Sequence, residues 1–173
     1  MRLFLAIEFD DAVKDMLAQT ASMLRDKSMR GRFTRRENFH LTLVFLGETD
    51  RVSAVRQAMH AAQSPPFTLR ICGSGVFRRS GGDIVWAGVE KDEALLSLQS
   101  DPSVALRANG FRVEDRGYTP HLTLGRDVVL QKGVVEVPRP PETDVKVDAI
   151  TLMRSERIDG KRTYTPIYRK VLK

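Results

Sequence analysis

The sequence predicts an α+β fold whose main elements follow the order β-α-β-α-β-β-α-β-β-β. Two kinds of segment follow one another along the 173 residues. Some are short runs typical of strands, and others are longer stretches with apolar residues at helical spacing. In addition, the tetrapeptide His-Leu-Thr-Leu occurs twice, at 40–43 and 121–124. A strand, a helix and a motif strand appear once in each half, which suggests a duplicated architecture.

Capping and breaking residues set the expected bounds in the first half of the chain. Short polar side chains cap the starts of helices, and prolines close them. The expected elements are a strand at 3–9, a helix capped by Asp10 or Asp11 that ends near Lys27, the first motif strand ending at Gly47, and a helix capped by Thr49 or Asp50 in a segment that Pro65 and Pro66 close.

Glycines and prolines punctuate the second half in the same way. One helix there contains Pro102, which either kinks it or starts a second helix. The expected elements are strands at 67–72 and 84–89, a turn or bulge at 73–75, a turn at 80–83, a helix at 91–109 that stops at Gly110, a short strand at 111–115, the second motif strand, a proline-containing loop at 138–141, and strands at 145–157 and 163–172 joined by a turn at Asp159 and Gly160.

Composition and charge restrict the class of protein. The net charge is +6, and six of the twelve residues at 25–36 are basic, which favours a polyanionic partner such as nucleic acid. A solvated charged loop is the alternative for that run. No apolar run approaches the ~18 residues of a membrane span. Cys72 is the only cysteine, so no disulfide or cysteine-based zinc site is expected, and a cytoplasmic location follows.

The repeated motif contains the candidate site residues. In a strand, His40 and Thr42 face one side, and Leu41, Leu43 and Phe45 face the other. His121 and Thr123 repeat this arrangement in the second copy. Each motif strand therefore supplies half of a site, whereas Trp86 is expected to pack into the core and His60 to lie on the surface.

Paired histidines suit displacement at phosphorus. The reaction removes a proton from the attacking oxygen and delivers one to the leaving oxygen, and imidazole, with a pKa of about 6.5, can do both near pH 7. The threonine hydroxyls can donate to the phosphate oxygens, and Arg126 can neutralise their charge. The alternatives are histidines with a structural role, a metal site lacking a recognisable third ligand, and a Ser-His-Asp triad lacking the Gly-x-Ser-x-Gly elbow.

The motifs and their surroundings resemble those of the two-histidine phosphoesterase superfamily, specifically its RNA 2',3'-cyclic phosphodiesterase branch, also called the 2'-5' RNA ligase family. The resemblance extends over nearly the whole chain. Tyr118 and Phe33 depart from it, since phenylalanine and tryptophan, respectively, are usual there. The residues that carry the resemblance are those at 3–7, 32–33, 37–43, 45–47, 85–89 and 120–124, together with Arg126 and the residues at 152–155.

The resemblance implies a bilobal, pseudo-twofold arrangement of two antiparallel sheets with flanking helices around a central cleft, in a single domain at 1–173. It also implies metal-free hydrolysis, without a cofactor, of a terminal 2',3'-cyclic phosphate on RNA or an oligonucleotide, leaving a 2'-phosphate. His40 would be the proton donor and His121 the proton acceptor, with the exchanged assignment as the alternative, and Thr42, Thr123 and Arg126 would bind the phosphate.

The same resemblance implies a reversible, ATP-independent joining reaction that forms 2'-5' linkages. We expect a monomer with no membrane association. The alternative from another class is a non-catalytic RNA- or nucleotide-binding module that uses the same basic cleft.

Overall fold

The computed structural model describes residues 1–173 and has the expected α+β composition. The helices are α1 (Asp11–Asp26), α2 (Val52–Met59) and α3 (Glu93–Ala108), and a short 3₁₀ helix spans Arg36–Asn38. The strands are β1 (Arg2–Glu8), β2 (Ser28–Phe33), β3 (His40–Glu48), β4 (Phe67–Phe77), β5 (Asp83–Val89), β6 (His121–Leu130), β7 (Thr143–Val147), β8 (Ala149–Ile158) and β9 (Lys161–Val171).

The strands form two antiparallel sheets of related topology. One sheet has the order β3-β1-β8-β9, and the other has the order β2-β6-β5-β4-β7. In the four-stranded sheet, the motif strand β3 lies beside β1, and helix α1 lies between these two strands in the sequence. In the five-stranded sheet, the motif strand β6 lies beside β5, and helix α3 lies between them in the sequence. The halves therefore repeat a strand-helix-strand unit, to which the five-stranded sheet adds β2 as an edge.

The helices interlock the two halves. Helix α1 follows β1 of the four-stranded sheet but packs against β2 and β6 of the other sheet. Helix α3 follows β5 of the five-stranded sheet but packs against β3 and α2. One contiguous cluster of 33 buried residues contains side chains from both sheets and all three helices. None of the helices combines the length and the apolar character needed to cross a membrane.

Local sequence signals explain the helix bounds. The Asp10 carboxylate accepts a hydrogen bond from the Val13 backbone N–H at 2.9 Å and caps α1 as predicted. Asp92 caps α3 in the same way. Helix α3 continues through Pro102, so a separate helix starting there is wrong. The predicted cap of α2 is also wrong, because α2 begins after Arg51 with no side-chain cap.

Two strand predictions in the second half are wrong, and one open alternative is decided. No strand forms at 111–115. The predicted strand at 145–157 is two strands in different sheets, separated at Asp148. Strand β4 continues through 73–75, where a register shift against β5 accommodates the positive φ of Gly73, so the bulge alternative holds. These features depend on pairing partners, which are distant in the sequence.

The basic run at 25–36 contains a strand that the sequence did not predict. Strand β2 pairs with β6 at the edge of the five-stranded sheet. An edge strand can form without an apolar run and without alternating polar and apolar residues. By contrast, the hairpin turn between β8 and β9 forms as predicted. Asp159 and Gly160 both have positive φ, of 49° and 75°, as a two-residue hairpin turn requires.

Gly88 of β5 provides a test of the sheet that carries the second motif. A Cβ atom at this position would lie 2.2 Å from the Cys72 carbonyl oxygen, so β4 would have to move. Overpacking of this kind costs about 1–3 kcal/mol. We therefore predict that Gly88→Ala lowers the free energy of unfolding by that amount in urea denaturation. Gly81→Ala is the matched control, because nothing lies within 4 Å of a Cβ there. Equal stability of the two variants would contradict the prediction.

Candidate active site

Each motif strand contains a β-bulge at the same place. In β3, Thr42 pairs with Ala6, but the next partner pair is Val44 and Leu5, so Leu43 is an extra residue. In β6, Thr123 pairs with Trp86, but the next pair is Gly125 and Val85, so Leu124 is the extra residue. Both bulges lie three residues after the motif histidine. A bulge reverses the alternation of side chains beyond it.

The bulges bring one further side chain per strand onto the histidine face. These are Phe45 and Arg126, each five residues after its histidine. Phe45 is 57% exposed, and its ring centroid lies 6.1 Å from that of Phe4 on the same face. The prediction that Phe45 faces the leucine side is therefore wrong, because simple alternation ignores the bulge. Arg126 lies close enough to both His40 and His121 for its charge to lower the pKa of each.

His40 is enclosed by aromatic rings and held by two hydrogen bonds. Its ring centroid lies 4.9 Å from those of Phe4 and Tyr164. Nδ1 lies 2.7 Å from the Asn38 carbonyl oxygen, and Nε2 lies 2.9 Å from the Thr42 hydroxyl. Because a carbonyl can only accept, Nδ1 carries a proton. In the neutral ring, Nε2 therefore accepts the Thr42 hydroxyl proton.

Burial lowers the pKa of His40 from its ordinary value to about 4. The positive charges of Arg126 and His121 act in the same direction. The Asn38 carbonyl and the Glu8 carboxylate, which is the cross-strand neighbour of His40, oppose the shift. Burial dominates, so His40 is neutral near pH 7 in the free protein. The Thr42 hydroxyl beside His40 and the His121 side chain line the same cavity, so the two imidazoles share the cleft.

His121 repeats the arrangement of His40 with different neighbours. Its Nδ1 lies 2.7 Å from the Thr119 carbonyl oxygen, again two residues earlier in the chain. The ring of Phe77 meets it edge-on at 5.0 Å, and that of Trp86 lies at 6.0 Å. Burial and the charge of Arg126 lower its pKa. Both motifs therefore hold Nδ1–H with the backbone. Nε2 of His121 is left for a ligand, whereas Nε2 of His40 has the Thr42 hydroxyl as its partner.

Two side-chain hydrogen bonds join the motif strands, and each runs from the segment before one motif to the backbone of the other motif strand. The Tyr118 hydroxyl, three residues before His121, donates to the Thr42 carbonyl oxygen at 2.8 Å. The Thr34 hydroxyl, before the first motif, donates to the Thr123 carbonyl oxygen at 2.7 Å. Burial raises the pKa of Tyr118, which keeps its hydroxyl protonated as a donor. These bonds fix β3 and β6 relative to each other.

The cleft is lined by aromatic residues that the sequence did not assign to it. Trp86 is half-buried on the His121 face instead of in the core, because Gly75 on β4 leaves room for its ring. Phe4, Tyr164 and Phe77 contact the histidines. No sequence signal identified them, since the register of pairing decides which strand residues share a face.

A cavity of about 370 Å³ adjoins the site on one side. It includes Thr42 and His121 and extends between Phe45 and Phe77 towards the loop at 113–119. The larger groove, about 580 Å³, lies at the turn between β4 and β5 and contains no motif residue. No group of three or more His, Cys, Asp or Glu side chains is arranged to hold a metal ion. His60 lies outside the site, exposed as expected.

Carboxylates offset much of the positive charge of the basic run at 25–36. Arg36 forms ion pairs with Asp11 and Asp15, which raise its pKa. Arg32 pairs with Asp127, and Arg35 with Glu37. Fewer free cations are therefore available for phosphate binding than the sequence suggested.

Comparison with known families gives a match over most of the chain. The family model described as the 2'-5' RNA ligase superfamily matches residues 10–159, a range that contains both motifs. The chain belongs to this superfamily. A Thermotoga maritima relative named RNA 2',3'-cyclic phosphodiesterase is 29% identical, with 97% of this chain and 94% of the relative covered. A relative of the same name from Methanothermobacter thermautotrophicus is 30% identical, with 95% of each covered.

Solved structures agree with the superfamily assignment. The crystal structure of E. coli LigT complexed with 3'-AMP superposes with a TM-score of 0.86 and 28% identity, covering 99% of this chain and 97% of LigT. The α+β architecture of two antiparallel sheets is therefore confirmed for this member of the 2'-5' RNA ligase superfamily.

The enclosure of His40 leads to a prediction for its titration. Because burial lowers the pKa, the ring should stay neutral, with the proton on Nδ1, until the pH falls to about 4. Histidine ¹⁵N NMR of the free protein measures both properties. Tyr164→Ala removes one covering ring, so it should move the titration upwards towards the ordinary value. A titration of His40 at or above about 6.5 in the unmodified protein would show that burial does not control it.

Proposed function

We propose that this protein is an RNA 2',3'-cyclic phosphodiesterase that opens the terminal cyclic phosphate of RNA to a 2'-phosphate. One observation carries the proposal: two imidazoles share one cleft, each with Nδ1–H held by a backbone carbonyl, and the only other partner of either ring nitrogen is the Thr42 hydroxyl at His40 Nε2. Relatives that match over nearly the whole chain have this activity in their names.

In the proposed reaction, His121 Nε2 takes a proton from water as the water oxygen bonds to phosphorus. The bond from phosphorus to the 3'-oxygen breaks, and His40 Nε2 gives that oxygen a proton. The product has a 3'-hydroxyl and a 2'-phosphate. A second proton transfer between the histidines, through solvent, restores the starting state. No metal or cofactor takes part, and this absence is also a prediction.

The remaining cleft residues would stabilise the charge that develops on the phosphate. Arg126 lies close to both histidines, and its side chain forms no ion pair with a carboxylate. Its charge is therefore available to the non-bridging oxygens. The Thr123 hydroxyl can donate to the same oxygens, and the Thr42 hydroxyl can do so once protonation of His40 Nε2 releases it, as each threonine lies on the face of its histidine.

The cross-strand neighbours of the two histidines differ, and this difference supports the assignment of roles. Glu8 lies opposite His40, and its negative charge favours the protonated imidazole. Gly88 lies opposite His121, which has no such carboxylate. The anionic substrate would add a second favourable charge beside His40, so the proton donor would become charged when the cleft is occupied.

The same geometry supports a joining reaction in the same direction, with another nucleophile in place of water. A 5'-hydroxyl that replaced water would be deprotonated by His121 and would form a 2'-5' linkage without ATP, whereas water at its bulk concentration favours hydrolysis. We further infer that residues 1–173 act as a single domain, because one buried core joins both sheets. A monomer in the cytoplasm, consistent with the lone Cys72, completes the proposal.

The direct test is turnover of an oligonucleotide with a 2',3'-cyclic phosphate end. We predict a 2'-phosphate as the main product by ³¹P NMR, with activity retained in EDTA. His40→Ala and His121→Ala should each lower kcat by ~10²-fold or more, because each removes one proton-transfer group. His60→Ala is the matched control. A binding module without catalysis would give no turnover, and a 3'-phosphate product would contradict the proposed bond cleavage.

A substrate with sulfur in place of the 3'-oxygen separates the two histidines. A thiolate leaves without protonation far more readily than an alkoxide, since thiols have pKa values of about 8.5. We predict that this substrate restores most of the rate of His40→Ala but little of the rate of His121→Ala, measured by thiol release. If this substrate restored the rate of His121→Ala but not that of His40→Ala, the donor and acceptor roles would be exchanged.

A further inference from the structure

The hairpin of β8 and β9 extends the histidine face of the four-stranded sheet beyond the site. Tyr164 of β9 contacts His40, so its side chain lies on that face. Ser155 pairs with Tyr164 across the strands, and Arg157 pairs with Arg162 two residues farther along. Paired residues share a face, and so do residues two apart in a strand. All four side chains therefore lie on the same face as His40.

Side-chain hydrogen bonds agree with this placement and leave the charges free. Arg162 Nη1 donates to the Ser155 hydroxyl at 3.1 Å, and Arg157 Nη1 donates to the Gly160 carbonyl oxygen at 3.1 Å. Both acceptors are neutral, and neither arginine forms an ion pair. The nearby Glu156 instead pairs with Arg154 on the opposite face of the hairpin.

The backbone holds this part of the hairpin against the first motif. The Arg162 carbonyl oxygen accepts hydrogen bonds from the Arg35 guanidinium and from the Asn38 side-chain amide. The Asn38 carbonyl oxygen in turn accepts from His40 Nδ1. The backbone at Arg162 is thus held next to the first motif, and the exposed side chains of Arg157 and Arg162 extend from it.

We propose that Arg157, Arg162 and Ser155 bind the phosphodiester that joins the terminal nucleotide to the nucleotide before it, so that the protein prefers RNA chains to mononucleotides. This proposal rests on the proposed function. In that reaction the 3'-oxygen leaves towards His40, so the ribose lies on the His40 side of the phosphorus. The rest of the RNA begins at the 5'-oxygen of that ribose, and the hairpin is the basic surface on that side.

The other end of the cleft offers a less suitable environment for a phosphodiester. Its cavity is lined by the rings of Phe45 and Phe77 and includes the Glu114 carboxylate. Arg116 there is paired with Glu114, which leaves Arg79 as the free guanidinium. A phosphate contact at that end would need Arg79 to outweigh a nearby negative charge.

The test compares two substrates that differ by one upstream nucleotide. These are adenosine 2',3'-cyclic phosphate and the dinucleotide ApA with a terminal 2',3'-cyclic phosphate. For the double variant Arg157→Ala/Arg162→Ala, the ratio of kcat/KM for the dinucleotide to kcat/KM for the mononucleotide should fall roughly tenfold, as expected for lost charge-assisted hydrogen bonds. For binding of a longer oligonucleotide to this variant, the slope of the log binding constant against the log salt concentration should weaken by about 0.7 per lost contact.

Lys161→Ala is the matched control, because Lys161 lies beside Arg162 in the same hairpin but faces the opposite side. It should keep the ratio of the unmodified protein. A ratio unchanged in the arginine variant would overturn the proposal, as would a fall seen for Arg79→Ala instead. Failure of the unmodified protein to hydrolyse either substrate would contradict the proposed function itself, so the two failures are distinguishable.

Discussion

The site depends on the two hydrogen bonds that join the halves of the molecule at the motifs. Tyr118 donates to the backbone of the first motif strand, and Thr34 donates to that of the second. Each half thus positions the other, and the exchange of helices α1 and α3 between the sheets reinforces the connection. Acid-base catalysis at one phosphorus atom requires both imidazoles to hold their positions to within about 1 Å. Bonds to backbone carbonyls suit this purpose because they fix the strands without using the motif side chains.

The repeated strand-helix-strand unit supplies two similar motif strands, and single residues make their surroundings different. Both motif strands contain the same bulge, and both histidines use the same carbonyl contact two residues earlier. The position that the bulge brings into the cleft is Phe45 in one strand and Arg126 in the other. The cross-strand neighbour is Glu8 on one side and Gly88 on the other. A reaction that gives a proton on one side of phosphorus and takes one on the other needs such differences.

Local signals in the sequence predicted what depends on local structure. The two motif strands, the Asp10 cap of α1 and the hairpin turn at Asp159 and Gly160 are examples. The positions of Phe45 and Trp86 were not predictable in this way, because a bulge and a facing glycine on a neighbouring strand decide them. Strand β2 was missed for a related reason. At a sheet edge, pairing with β6 alone can hold a polar segment, and no pattern of buried residues records it.

The enclosure of His40 connects substrate binding to protonation. Phe4 and Tyr164 exclude water from the ring, so in the free cleft the neutral form dominates. A phosphodiester anion in the cleft favours the charged form, and by linkage the protonated ring binds the anion more tightly by the same factor. Proton and substrate therefore stabilise each other at the site. A solvated histidine would already carry part of this charge before binding, but water would screen its interaction with the phosphate. In the proposed reaction, burial of His40 thus lowers the fraction of protonated ring before binding but strengthens the interaction of the protonated ring with the bound phosphate.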